Sequence, residues 1–169
     1  MITDTEYENL KNDNNVLYYV DTIKDNALRT LVEKSIKEYS TPDKLRMAYD
    51  VIDLYIGFLK FKNQIDDNSR PIWVDLCIAA GYMHNMFYDG TVTSLFKARE
   101  VISPIAKELG VPVNAIGLLF SSIEGQFGDK TPVEACIPNE ASPNALFAKA
   151  VFVVEVYPGH IQLPNGTSY

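Results

Sequence analysis

Histidine is the scarcest chemistry-bearing residue here: only His84 and His160 occur in 169 residues, and none precedes position 84. A divalent centre that holds a reactive water needs several histidine or carboxylate ligands, so any such centre in this chain would lean on acids. Cysteine is equally sparse. Cys77 and Cys136 are far apart and do not make a metal-type pair, so no disulfide framework is expected and a reducing compartment is. The nine glycines are scattered, with no glycine-rich phosphate loop among them. Ser121-Ser122 falls in a helical pattern without the flanking glycines of a nucleophile elbow, which excludes a serine hydrolase of that type.

Basic residues are outnumbered. The net charge of −7 argues against a nucleic-acid backbone as main partner and against electrostatic docking on anionic membrane. It does not bear on a small phosphate-containing ligand, which a few local groups can hold. The longest apolar run, 71–89, is short for a membrane span and contains Asp75 and His84. The opening MITDTEYENLKND is acidic and lacks the basic and apolar regions of an export signal. The chain is therefore expected to work in the cytoplasm.

What is present is a globular composition, 47% hydrophobic and 11% aromatic, expected to form one domain over 1–169. The run PIWVDLCIAAGYMHNMFYD at 71–89 is apolar on nearly every face, as expected of a buried central helix. Residues 1–15 read as a frayed helix or mobile arm, and VLYYVDTI at 16–23 has the β-branched and aromatic content of a strand, with a helix left open there. Leu28, Leu31, Val32, Ile36 and Tyr39 recur at helical spacing over 25–39. Thr41-Pro42 is a cap followed by a first-turn proline, opening a helix to about 65 with two apolar stripes. A helix over 93–109 should kink or divide at Pro104 and stop at Gly110. Residues 113–127 and 144–157 follow as helices, separated by a long loop at 128–141, and 158–169 reads as an irregular tail. The expectation is an all-α bundle of about six helices. Trp73 and Tyr18-Tyr19 read as core and rim aromatics.

His84-Asn85 ends the central helix, a place from which two adjacent side chains can face one metal. This resembles the HD-domain superfamily of helical metal-dependent phosphohydrolases, whose central pair is His-Asp in that setting. The order of elements is similar over 41–157. IEGQFGDKTPV at 123–133 is similar to an E-x-H-F/L-G-x-x-T-P stretch of small phage and bacterial HD-like proteins, and SPNALFAKAVFVV at 142–154 to their closing helix. The chain departs from the pattern at the ligands. Neutral Asn85 replaces the Asp, Gln126 stands where a His is expected, and no early His exists. No Asp lies near 149–151, and the only acid of the last helix is Glu155.

The candidate pocket residues are His84, Asn85, Asp89, Glu124, Gln126 and Asp129, with His84 the one candidate metal ligand. The plainer reading of His84 is a helix-end histidine bonded to a neighbouring carbonyl or carboxylate. For Glu124 it is a solvated acid, and for Asp129 a loop acid. The resemblance thus implies a non-catalytic HD-like domain, without a cofactor, that binds a protein or a small phosphate-containing ligand. The alternative is a nucleotide phosphohydrolase using a divalent metal on His84, Glu124 and Asp129. A third reading is a self-associating protein, its surplus apolar stripes forming an oligomer face.

Overall fold

The computed structural model describes residues 1–13, 15–66, 70–124 and 143–155. Within them lie eight α-helices and one 3₁₀ turn, with no strand. They are α1 (Asp4–Asp13), α2 (Tyr18–Thr22), α3 (Asn26–Tyr39), α4 (Pro42–Phe61) and α5 (Ile72–Met83). After the 3₁₀ turn Val92–Leu95 come α6 (Phe96–Glu108), α7 (Val113–Glu124) and α8 (Pro143–Glu155). The all-α class stands, with the six expected helices present, the opening segment taking its helical alternative as α1, and the short α2 following it. No described helix is long and apolar enough to cross a membrane.

Helix starts follow the local chemistry. The Asp25 carboxylate accepts from the Leu28 amide at 2.8 Å, and the Thr41 hydroxyl accepts from the Lys44 amide at 3.2 Å, each satisfying a first-turn N–H. Pro42 follows Thr41 at the first helical position, where its missing N–H costs nothing. Gly110, at φ +84°, ends the α6 segment in a Schellman arrangement: Val111 N–H donates to Ala106 O and Gly110 N–H to Lys107 O. Pro104 lies within α6 without dividing it. The carbonyl it leaves unpaired, on Glu100, belongs to an exposed residue that water can reach.

Helix α5 is the centre. Every residue from Val74 to Met83 is buried, and α2, α3, α4, α7 and α8 all pack on it. Helix α8 lies mainly along α4, which explains that helix's two apolar stripes: Leu45, Ile52 and Leu59 are as fully enclosed as Val51, Leu54 and Tyr55. One open point is decided and one expectation changes. Residues 16–23, open between strand and helix, hold the short helix α2 (Tyr18–Thr22), because Tyr19 and Val20 are buried against the bundle and no strand among the described residues offers a ladder. The central helix stops at Met83 rather than near 89, since the His84 ring takes the Gly81 carbonyl that the next helical N–H would have used. The acidic start is also no free arm. Ile2 and Tyr7 are buried, and Ile2 N–H donates to Lys37 O at 2.7 Å.

The α4–α5 contact is set by one glycine. A Cβ on Gly81 would lie 2.3 Å from Ile52 Cγ1 and 2.8 Å from its Cδ1, inside any tolerable separation. Ile52 is fully buried and cannot swing away. Gly81→Ala should therefore cost about 1–3 kcal/mol by overpacking. Chemical denaturation checks this, and pairing it with Ile52→Ala should recover part of the loss.

Candidate functional site

Four of the six candidate residues fall among the described ones; Gln126 and Asp129 lie outside them. His84 is the C-cap of α5 and is buried to 2% exposure. Its Nδ1 lies 2.5 Å from Gly81 O and its Nε2 2.5 Å from Glu155 Oε1 at the end of α8. A carbonyl oxygen only accepts, so Nδ1 carries a proton. The second contact then shares one proton between Nε2 and the carboxylate, and no ring lone pair is left over. The Phe147 ring stands edge-on to the imidazole at 6.2 Å between centroids. Both acceptors of the plainer reading, a carbonyl and a carboxylate, are thus on one ring.

Asn85 is buried beside it and tied to α4. Its Nδ2 donates to Lys44 O at 3.0 Å, while Lys44 Nζ donates to Met86 O at 2.8 Å. These two bonds lace the turn after α5 onto the first turn of α4. The Oδ1 of Asn85 is buried without a hydrogen-bond partner among the described residues. Such an orphan acceptor is uncommon in a native interior and costs free energy unless a water or ligand donor meets it.

Asp89 turns away from this corner. It is fully exposed, and its carboxylate accepts from Thr91 N–H at 3.0 Å and from the Thr91 hydroxyl at 2.6 Å. These bonds hold its pKa below the usual carboxylate value and close a tight Asx-type turn just ahead of the 3₁₀ segment. Glu124 is also engaged. Arg99 Nε donates to its Oε1 at 2.7 Å and Nη2 to its Oε2 at 2.8 Å, a bidentate pair joining α6 to α7. So His84 and Asn85 share one corner, whereas Asp89 and Glu124 have local partners of their own. Among the described residues no three His, Cys, Asp or Glu side chains converge on one point.

The residue that sequence reasoning left out of the site is Glu155. The available signal was that it is the only acid on the last helix, and an acid on a buried helix needs a partner. Lys149, on the same helix, is fully buried too. A separate cleft of about 220 Å³ lies between α3, α5 and α7, walled by Leu28, Ile72, Leu76, Val111 and Leu118. None of the candidate residues lines it. No family model matches the chain, and neither a curated protein nor a solved structure matches it.

Proposed function

We propose that this chain is a binding or regulatory domain on an HD-like scaffold, without hydrolytic chemistry of its own, acting on a protein partner or a small phosphate-containing ligand. The observation that carries the reading is the saturation of His84, whose two ring nitrogens are both occupied by protein acceptors. A metal ligand needs a free lone pair on one nitrogen and a carboxylate not already spent. The side chains at hand are a poor match for a dication. Nε2 is spent on Glu155, Glu124 on Arg99, and Asp89 on Thr91. Asn85 offers a neutral oxygen where the resemblance expects an anion, and Lys149 stands in the stretch where it expects an aspartate.

What such a domain keeps is shape. The corner of His84, Asn85 and Lys44 has one buried acceptor to spare, suited to a donor on a neutral or cationic group. Fold alone does not fix function, and a site with spent ligands is free to serve recognition.

The test is metal content of protein purified without chelator, followed by thermal unfolding with manganese, nickel or zinc. The expected result is no stoichiometric metal and no shift. A metal held at 100 times its Kd would add about 2.7 kcal/mol, roughly 5–10 °C for a chain of this size. Such a shift, abolished by His84→Ala, would overturn the reading in favour of a metal-dependent phosphohydrolase.

A further inference from the structure

Along one edge of α4, α2 and α4 bring together three tyrosines and two aspartates, with Tyr18 exposed, Tyr49 and Asp50 half-buried and Tyr19 beneath them. The Tyr18 and Tyr19 rings meet edge-to-face with centroids 5.0 Å apart, and Tyr19 and Tyr49 follow at 5.6 Å. Tyr18 is 59% exposed. The Tyr19 hydroxyl donates to Asp53 Oδ1 at 2.5 Å, which fixes that ring beneath the other two. Asp50 sits one turn before Asp53 on the same helix face. Tyr49 is close enough to feel the charges of Asp50 and Asp53 and the Tyr18 hydroxyl, so the five side chains form one patch.

Asp50 is the informative member. It is half-buried, yet it makes no hydrogen bond or ion pair among the described residues. Partial burial and the neighbouring Asp53 charge both raise its pKa, and Arg46, one turn earlier, only partly offsets them. Arg46 is instead within 3.6 Å of Asp43. A carboxylate held next to a like charge, with no ion pair among the described residues and only partial relief from Arg46, raises the energy of the free protein. A cation brought from outside removes that cost. The tyrosine faces add quadrupole attraction for the same cation.

We infer that the face shared by α2 and α4 is a docking surface for an arginine-bearing segment of a partner protein. The guanidinium stacks against Tyr18 and Tyr49 while its fork meets the Asp50 carboxylate. Guanidinium suits this patch better than ammonium, because it is planar, weakly hydrated and able to pair bidentately. The occupant is a chain segment rather than a second copy of this molecule, since two chains of net charge −7 repel each other. This inference does not rest on the His84 corner, and its failure would leave that reading untouched.

The experiment titrates the ¹⁵N-labelled 169-residue chain with a synthetic peptide of about twelve residues alternating Arg and Gly, alongside its Lys-Gly counterpart and spermine. Saturable amide shifts are expected around Tyr18, Tyr49, Asp50 and Asp53, with the Arg peptide binding tighter than the Lys peptide. Asp50→Asn should keep the fold and weaken binding about tenfold. Tyr18→Leu, which keeps the apolar contact but removes the ring, should weaken it about two- to fivefold. Absent binding, shifts spread over the whole acidic surface, or an Asp50→Asn variant that binds as well as the parent would overturn the proposal. So would spermine binding as tightly as the Arg peptide, which would make the patch a sink for small cations.

Discussion

Asp75→Ala is expected to cost about 3–5 kcal/mol of folding stability, because it breaks a buried ion pair and leaves the surviving charge without a partner. Asp75 lies in the first turn of α5 with its side chain 4% exposed, and Arg70 Nη2 donates to its Oδ1 at 2.5 Å. Its other oxygen accepts from Lys24 N–H at 3.1 Å, at the entry to α3. Arg70 in turn donates to Thr22 O at 2.6 Å and to the Thr22 hydroxyl at 3.2 Å, at the end of α2. One carboxylate and one guanidinium thus pin the α2–α3 link over the start of the central helix. Removing the carboxylate strands Arg70, whose Nε is already buried without a partner among the described residues, and the Lys24 amide as well. Asp75→Asn should cost less, since its amide oxygen can still accept one of the two bonds. Replacing both residues together by leucine and methionine should cost less than Asp75→Ala alone, because no unpaired charge remains. Urea unfolding of the four proteins checks the order. If Asp75→Ala loses under 1 kcal/mol, the pair is solvated and the pinning account fails.

The helices were legible because their signals are local. Apolar spacing marked α3, α4 and α6, and the caps Thr41-Pro42 and Gly110 are written in adjacent residues. The all-round apolar run named α5 as the centre, and Val74 to Met83 are indeed all buried. What stayed open or changed was decided by tertiary contact. The residues 16–23 carry strand-like side chains, but burial of Tyr19 and the Tyr82 hydroxyl bonding to Val16 O at 2.7 Å select a turn of helix. The end of α5 depended on which acceptor the His84 ring would take, and ring geometry is invisible in a sequence.

The site was legible only in part, for the same reason. His84 and Asn85 are adjacent in sequence, so their sharing a corner needed no long-range knowledge. That Glu124 would meet Arg99, 25 positions away, and that Glu155 would meet His84, 71 positions away, depends on how helices stack. That Glu155 needed a partner was readable from its being the only acid of the last helix, but which partner was not. The arrangement of Tyr18, Tyr49 and Asp50 was hidden likewise. Tyr49 and Asp50 are neighbours in sequence, but Tyr18-Tyr19 read as rim aromatics, and only the packing of α2 beside α4 brings them to that pair.

The second large effect concerns His84 and Glu155, whose side chains are 1% and 14% exposed. His84→Ala removes a buried ring that packs on Phe147, strands the Glu155 carboxylate and frees the Gly81 carbonyl. It should cost about 3–5 kcal/mol. Glu155→Ala should cost about 2–3 kcal/mol, since it leaves Nε2 buried and unmet. The double variant should fall short of the sum by about 1–3 kcal/mol, the coupling of the pair. Glu155→Gln is the decisive member. A neutral imidazole protonated at Nδ1 still donates to Gly81, and its bare Nε2 accepts from the new amide. No charge then needs a partner, so Glu155→Gln should lose about 1 kcal/mol or less. A tie that serves only to hold α8 on α5 tolerates this exchange. A carboxylate retained to share a cation with His84 does not, because an amide contributes no charge to the ion. Should Glu155→Gln match Glu155→Ala in stability, or abolish a metal-induced thermal shift present in the parent, the pair is a ligand set rather than a latch. A small loss together with strong coupling makes it a latch.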